Sequence, residues 1–205
     1  MSYTADKYGA DYEFPPVDVS APVSDTVRSM LEVYVEGARD ADAMLGRLKD
    51  YFSQRSEPVV LVYFGDHLPY LGDNQLAYAE LGMTGADDWA DLTSYETPYI
   101  IWANDAAAET LDWDNAVAAL DLPEDGRLSA AFLGAAVVEL TGRAEETPWF
   151  RFLSQLRREA PVVHKQLLVL PDGIRTSAPE PALEEAILKW RQWSYYKLQQ
   201  KDIPS

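Results

Sequence analysis

The stretch Pro58-Val-Val-Leu-Val-Tyr-Phe-Gly-Asp-His-Leu-Pro69 decides how the fold is interpreted. Its apolar run, residues 59–64, has the length of one β-strand that is buried on both faces. Gly65 ends the run, and Asp66 and His67 follow directly. In open α/β sheets, ligands bind beyond the carboxyl ends of the strands. The sequence therefore predicts an α/β fold with a polar site at the end of this strand.

The neighbouring segments alternate between helix and strand patterns. Apolar residues spaced by three and four predict an amphipathic helix from Ser24, a good N-cap, to about residue 53. A second apolar run, 97–104, predicts another buried strand. Between the two strands we expect a loop with a short helix near 74–81, lying over the carboxyl end of the first strand. This alternation is typical of α/β proteins.

The rest of the chain gives less regular signals. The predicted segments are an irregular lead-in over 1–22, an acidic connection over 105–127, a helix over 128–140 that stops at Gly142, a helix from Pro148 to 159, a hairpin from 162 that turns at 171–173, and a last amphipathic helix over 180–200.

Composition excludes several classes of function. The 205 residues carry a formal net charge of −17 and a pI of about 4.3, which argues against nucleic acid as a partner and against docking on an anionic membrane. The absence of cysteine removes disulfides, thiolate zinc sites and cysteine nucleophiles. No apolar run approaches the ~18 residues of a membrane span, and no signal peptide is evident at the start.

Asp66 and His67 are the main candidates for chemistry. A carboxylate oxygen beside an imidazole nitrogen suits a divalent ion such as Mn²⁺, Zn²⁺ or Mg²⁺. Adjacent residues in a strand point to opposite sides, so both can face one ion only if the backbone turns there. Gly65 and Pro69 favour such a turn. The alternative is a polar strand end with a surface histidine.

Other polar and aromatic residues have simpler interpretations. His164 lies before the turn of the predicted hairpin and is interpreted as an exposed or edge-strand histidine. Asp73 and Asn74 are candidates for further ligands from the same loop, or are solvated loop residues. The remaining groups are an acidic cluster expected to be solvated (Asp87, Asp88, Asp91) and aromatic residues of the last helix expected to pack (Trp190, Trp193, Tyr195, Tyr196). No phosphate-binding glycine loop, serine nucleophile elbow or zinc-protease motif is found.

Several stretches together carry a resemblance to a known family. They are Tyr34-x-x-Gly37-x-Arg39-x-x-Asp42-x-x-Leu45-Gly46-x-Leu48-x-Asp50-Tyr51, Phe64-Gly-Asp-His-Leu-Pro69, Thr97-Pro-Tyr-Ile-Ile-Trp-Ala-Asn104 and Trp149-Phe-Arg-Phe-Leu153. The chain resembles the carboxyl-terminal half of the catalytic domain of lipoteichoic acid synthase-like proteins, in the sulfatase branch of the alkaline phosphatase superfamily. The resemblance runs over nearly the whole chain and is specific at residues 64–69.

The resemblance implies a fold and a location. We expect part of a three-layer α/β/α sandwich around a mostly parallel sheet, with residues 1–205 forming one domain that is the carboxyl-terminal portion of a larger catalytic domain. The parent protein is expected at the extracellular face of the cytoplasmic membrane, held there by upstream transmembrane helices, whereas this chain itself is expected to be soluble.

The resemblance also implies a reaction. In the family, a threonine nucleophile attacks the phosphatidylglycerol head group and one divalent ion holds the reacting oxygens. Asp66 and His67 match two ligands of that ion. Mn²⁺ is the first choice, with Mg²⁺, Zn²⁺ or Ca²⁺ as alternatives. The nucleophile and a ligand glutamate are expected upstream, so no catalytic residue is assigned here.

Two expectations follow from this missing half. The chain alone should be inactive towards phosphate or sulfate esters, and an exposed sheet edge should favour self-association. The alternative function is a non-catalytic interaction or structural module of the same fold.

Overall fold

The chain is an α/β protein made of two compact units, with the boundary between Ala106 and Ala107. A computed structural model describes residues 5–83, 92–165 and 167–200. Each unit combines helices with a small antiparallel sheet. The predicted α/β class is therefore confirmed, while the assignment of one domain to residues 1–205 stays a prediction. Within the described ranges, no helix has the length and apolar character that crossing a membrane requires.

The elements follow the predicted order, with local differences. Up to the boundary they are α1 (Asp25–Ser53), β1 (Val60–Phe64), α2 (Leu76–Glu80) and β2 (Tyr99–Ala103). Helix α3 (Asp105–Leu111) contains the boundary, and the elements after it are α4 (Trp113–Ala119), α5 (Ala130–Leu140), α6 (Pro148–Glu159), β3 (Val162–His164), β4 (Leu167–Val169), β5 (Arg175–Thr176) and α7 (Pro181–Gln200).

Helix α1 is the main support of the first unit. Its N-cap Ser24 accepts a hydrogen bond from the Val27 backbone N–H at 3.3 Å, which satisfies one of the donors that a helix start leaves open. The Glu80 carboxylate at the end of α2 accepts from both the backbone N–H of Ser24 (2.6 Å) and its hydroxyl (2.9 Å). Val27 and Ala77 are fully buried in the core between the two helices. These contacts fix α2 against the start of α1.

The lead-in to α1 is irregular, as predicted, apart from a 3₁₀ turn at Ala5–Lys7. Side chains nevertheless hold it against α1. The Lys7 ammonium and the Tyr8 hydroxyl both donate to the Asp40 carboxylate, at 2.6 and 2.8 Å. The Tyr12 hydroxyl donates to Glu36 at 2.5 Å. The lead-in is therefore tied to two consecutive turns of the helix.

Strands β1 and β2 pair in antiparallel fashion, with Val60 opposite Ala103 and Phe64 opposite Tyr99. For the described strands, this corrects the mostly parallel sheet that the family resemblance implies. The described part of the connection contains only one five-residue α-helix and short 3₁₀ turns, rather than the crossover helix typical of parallel pairs. Apolar runs predict strands but not their direction.

The same pair also corrects the prediction of strands buried on both faces. No residue of β1 or β2 is fully buried, and Phe64 and Ile100 are 51% and 47% exposed. Two strands alone cannot cover both faces of a sheet with apolar neighbours. Whether this exposed apolar surface and the open edge promote self-association stays a prediction.

Asn104 closes the end of β2 against the link between α1 and β1. Its side chain is buried, with the residue 1% exposed. The amide nitrogen donates to the carbonyl oxygens of Phe52 (3.1 Å), Arg55 (3.2 Å) and Glu57 (2.9 Å), and the amide oxygen accepts from the Val59 N–H at 3.0 Å. One side chain therefore satisfies the backbone of a connection that has no regular hydrogen bonding.

The second unit is built around α5, α6 and α7. Pro148 occupies the first turn of α6, as predicted, and the structure adds that Thr147 caps this helix. The acidic connection expected over 105–127 contains helices α3 and α4, since alanine favours helix. One prediction is corrected: the expected strand from residue 162 to 170 is interrupted. Lys165 has φ of 44° there, so β3 and β4 form an antiparallel pair of their own, and β4 pairs with β5.

A buried ion pair joins α5 to α6. The Arg157 side chain has 0% exposure, and its guanidinium donates to the Glu139 carboxylate at 3.1 Å. Arg158 donates to the other oxygen of the same carboxylate. Breaking a buried pair on one side leaves a charge without compensation, so we expect Glu139 to be important for the stability of this unit.

Candidate functional site

The chain turns sharply at Gly65, directly after β1. The Gly65 N–H donates to the Pro98 carbonyl oxygen at 3.0 Å, and the Thr97 hydroxyl donates to the Gly65 carbonyl oxygen at 2.8 Å. A Cβ atom built on Gly65 would lie 2.9 Å from the Thr97 Cβ. Only glycine allows the two segments to approach this closely. The turn brings the next two residues to the surface beyond the strand end.

Asp66 and His67 are on the same side of this turn. The Asp66 Oδ2 lies 3.6 Å from the His67 Nε2, and the side chains are 83% and 76% exposed. The other carboxylate oxygen accepts from the His67 backbone N–H at 3.0 Å. The His67 Nδ1 is 2.7 Å from the Leu68 carbonyl oxygen. Because a carbonyl oxygen can only accept, Nδ1 carries a proton and donates it in this arrangement.

This arrangement determines what the pair can do. With the proton on Nδ1, a neutral imidazole presents the lone pair of Nε2 towards Asp66, and a backbone carbonyl is a usual partner for a ligand histidine. Two ligands of a tetrahedral ion at about 2.1 Å are separated by about 3.4 Å. The observed 3.6 Å is close to this tetrahedral value, and it is about 0.6 Å longer than the separation of adjacent octahedral ligands at the same bond length. The donor set therefore fits two positions of one divalent ion.

The pair is not a complete ligand set within the described ranges. No group of three or more histidine, cysteine, aspartate or glutamate side chains with the geometry of a metal site is present there. Asp73 accepts a hydrogen bond from the Tyr70 hydroxyl, and this bond is the main cause that raises the pKa of Tyr70. First-row divalent sites usually have three or more protein ligands, so the described residues offer part of a site.

A pocket of about 430 Å³ opens beside His67. Its wall includes Pro69, Tyr70 and Tyr78, and the Tyr78 hydroxyl donates to the Pro69 carbonyl oxygen at 2.7 Å. Asn74 also lines it, so the structure places one of the two predicted loop ligands at the same pocket as His67. Pockets of this volume are typical of small-molecule sites.

The loop at the pocket has an unusual backbone. Asn74 and Gln75 both have positive φ, 52° and 57°, a conformation that costs most non-glycine residues energy. Gly72 precedes them with φ of 91°, and a Cβ atom there would lie 3.2 Å from the Met30 sulfur and the Leu76 Cβ. Backbone strain of this kind is frequent at functional sites. The pocket could not be predicted from the sequence, because its one signal is a Gly-Asp-Asn-Gln run that is also typical of an ordinary turn.

The other predicted candidates lie elsewhere. His164 is in edge strand β3 of the second unit, and burial, followed by the Lys165 charge, lowers its pKa. In the last helix, Trp190 packs against the hydrophobic core and the Trp193 ring stacks on Trp149 with centroids 4.6 Å apart, while Tyr196 is 50% exposed.

The acidic cluster was the remaining candidate. Asp87, Asp88 and Asp91 lie outside the described residues, so their predicted role as a solvated face stays untested.

The similarity to known proteins places this site in a family. The chain is 25% identical over 178 residues to the putative cyclic beta-1,2-glucan modification protein of Rhizobium meliloti (strain 1021), an alignment that covers 83% of this chain and 25% of that protein. The chain thus spans about a quarter of the length of this relative. No solved structure matches significantly. A model of the sulfatase family matches residues 4–143, which is more than half of the chain. The chain therefore belongs to the sulfatase family.

Proposed function

We propose that the chain is the metal-binding, carboxyl-terminal part of a sulfatase-type phosphotransferase or hydrolase. The observation that carries the proposal is the pairing of Asp66 Oδ2 and His67 Nε2, 3.6 Å apart, in a chain of the sulfatase family. The substrate class is a phosphate or sulfate ester. The resemblance to lipoteichoic acid synthase-like proteins favours glycerol phosphate from phosphatidylglycerol.

The proposed roles follow from the donor chemistry. Asp66 and His67 would hold one divalent ion, with Mn²⁺ preferred, and such an ion supplies positive charge that stabilises a nucleophilic oxygen and the transferring ester. The Leu68 carbonyl oxygen keeps the proton on His67 Nδ1 and so leaves Nε2 available. We assign no nucleophile or general acid to this chain, because the resemblance places the threonine nucleophile upstream.

The fold and location of the parent protein are part of the same proposal. The exposed residues Phe64 and Ile100 are consistent with β1 and β2 joining a larger sheet of an α/β/α sandwich. The resemblance favours a parent protein on the extracellular face of the cytoplasmic membrane.

The named relative suggests a substrate. Its description as a modifier of cyclic beta-1,2-glucan supports the proposal that the ester group is transferred to, or removed from, a glucan. A glycerol phosphate donor and a glucan acceptor are compatible in one transferase, since they would act in turn: the lipid alkoxide leaves as the upstream threonine bonds to phosphorus, and a glucan hydroxyl, losing its proton, then displaces the threonine from the side that the lipid has left.

One observation favours a second candidate function. Asp66 and His67 are largely exposed, and no third acidic or histidine ligand joins them in the described ranges. A non-catalytic interaction module of the same fold would have the same appearance. Ion binding at the pair separates the two functions.

The test is a titration of the metal-free chain with Mn²⁺, in which NMR relaxation is the readout of binding. Mn²⁺ should broaden the His67 signals first, and Asp66→Asn or His67→Gln should each weaken binding by about tenfold or more. Asp50→Asn removes one carboxylate from the surface of α1 and is the control for non-specific binding to an acidic protein. Equal broadening of many surface carboxylates, with no effect of Asp66→Asn, contradicts the proposal.

Turnover is measured in the same samples. We expect no hydrolysis of a nitrophenyl phosphate ester by the chain alone. Metal-dependent hydrolysis that Asp66→Asn abolishes would show instead that the chain contains its own nucleophile.

A further inference from the structure

The pocket beside His67 has a lining unlike that of an anion site. Among the described residues that line it there is no lysine, arginine, aspartate or glutamate. An ester anion in water loses strong hydration when it is bound, and proteins usually replace that hydration with cations or with several N–H donors. The pocket is therefore chemically distinct from the charged pair at its rim.

Uncharged hydrogen-bonding groups converge on the pocket instead. Asn74 and Gln75 each supply an amide that both donates and accepts, and Ser94 supplies a hydroxyl. Hydroxyl groups of a ligand also donate and accept, so amide and hydroxyl side chains match them without leaving a charge unpaired. Asn74 and Gln75 are exposed, so their amides are accessible to a ligand.

Two tyrosines add flat apolar surface. Tyr70 is 76% exposed and Tyr78 is half-buried, and both line the pocket. Their hydroxyls already have acceptors, the Asp73 carboxylate and the Pro69 carbonyl oxygen, so the polar end of each ring is satisfied before a ligand arrives. A tyrosine ring offers a large apolar body beside that polar end.

We infer that this pocket binds a neutral polyhydroxylated ligand, a sugar unit of an oligosaccharide, with Asn74 and Gln75 as hydrogen-bonding residues and Tyr70 and Tyr78 as the apolar wall. The volume of about 430 Å³ lies within the usual range for small-molecule pockets. A sugar held here has His67 at its edge, so a hydroxyl of the sugar is next to the pair proposed to hold the ion. Its role as acceptor or carrier of the ester rests on the proposed function, whereas sugar binding itself does not.

The probe is sophorose, a β-1,2-linked glucose disaccharide, added to the full 205-residue chain in the presence of EDTA. Binding in the millimolar range should shift the backbone NMR signals of Leu68 and the pocket residues. The double variant Asn74→Gly/Gln75→Gly removes both amides, and glycine adopts positive φ without cost, so the fold is kept or stabilised. We expect it to weaken sophorose binding about tenfold.

The controls separate a pocket effect from a general one. Tyr70→Ala should weaken binding by several-fold, while Tyr51→Ala, which removes an exposed ring on α1 that is 57% accessible, should not change it. The inference is overturned if sophorose shifts no pocket signal at tens of millimolar. It is also overturned if the double variant binds sophorose as the original chain does, or if inorganic phosphate without metal shifts the same signals more strongly.

The failure of the proposed function would look different. If Mn²⁺ does not bind at Asp66 and His67 but sophorose still binds with the predicted dependence on Asn74 and Gln75, the metal proposal is wrong and the sugar pocket stands. If Mn²⁺ binds and sophorose does not, the reverse holds.

Discussion

Asn104 offers the sharpest test of how the strand pair that carries Asp66 and His67 is held in place. Truncation by Asn104→Ala removes two N–H donors and one acceptor from a residue that is 1% exposed. These groups serve three carbonyl oxygens at 2.9–3.2 Å and the Val59 N–H at 3.0 Å. At about 1 kcal/mol net for each hydrogen bond, the free energy of unfolding should fall by about 3 kcal/mol.

The isosteric change Asn104→Asp adds a dependence on pH. It keeps the oxygen that accepts from Val59 but directs a carboxylate at three carbonyl oxygens, so burial should raise its pKa in the folded state above the unfolded value of about 3.9. The folded protein then binds the proton more tightly than the unfolded chain. The contribution of this carboxyl group to the free energy of unfolding is therefore greatest below about pH 3.9. It falls as pH rises towards the folded pKa, by up to about 1.4 kcal/mol for each unit of pKa shift.

Hydrogen exchange measured by mass spectrometry gives the local readout. Peptides that cover residues 52–64 and 99–104 should exchange faster in both variants, and at neutral pH more so in Asn104→Asp. The control is Asn115→Ala, an exposed asparagine whose amide donates to Asp112 at 2.7 Å; surface changes of this kind usually cost less than about 0.5 kcal/mol. Equal effects of the two alanine variants, or an Asn104→Asp variant whose stability does not vary with pH beyond that of the original chain, would refute the reasoning.

Two further predictions concern charges. Glu139→Gln should destabilise the second unit by about 3–5 kcal/mol in urea unfolding, because Arg157, with 0% side-chain exposure, loses the carboxylate that it pairs with. The exposed control Glu185→Gln should cost less than about 1 kcal/mol. Equal costs of the two variants would contradict this prediction. The hydrogen bond from Lys7 is the main cause that lowers the pKa of Asp40, so the tie between the lead-in and α1 should be present above about pH 3.9 and be lost as pH falls through the lower folded pKa. NMR signals of Lys7 that stay constant over this acid range would contradict it.

The sequence predicted the elements of the fold better than their pairing. Helix α1 and the start of α6 follow from local signals, namely Ser24 before an apolar period of three to four residues and Pro148 before another. Direction and burial of β1 depend on residues more than thirty positions away, such as Tyr99 opposite Phe64. The apolar run itself contains no information about those contacts. The sequence therefore could not show that β1 pairs in antiparallel fashion and is not buried on both faces.

The candidate site also has features that the sequence predicts and features that it does not. The turn at Gly65 was predictable, because glycine adopts backbone conformations that other residues avoid and so permits a sharp turn that can place Asp66 and His67 on one side. The tautomer of His67 was not predictable, since it depends on the position of the Leu68 carbonyl oxygen. The pocket also escaped prediction, because Asn74 and Gln75 become its lining only through two consecutive residues with positive φ.

Charge connects the two halves of the proposed site. A chain with a net charge of −17 repels a phosphate or sulfate ester, and the described lining of the pocket has no cation to offset that repulsion. A divalent ion at Asp66 and His67 would reverse the local sign, whereas a neutral sugar in the pocket needs no such compensation. Ester binding should therefore depend on the ion and sugar binding should not. Under this proposal, the acidic surface would repel free anions, and an ester would bind beside the sugar only when the ion is present.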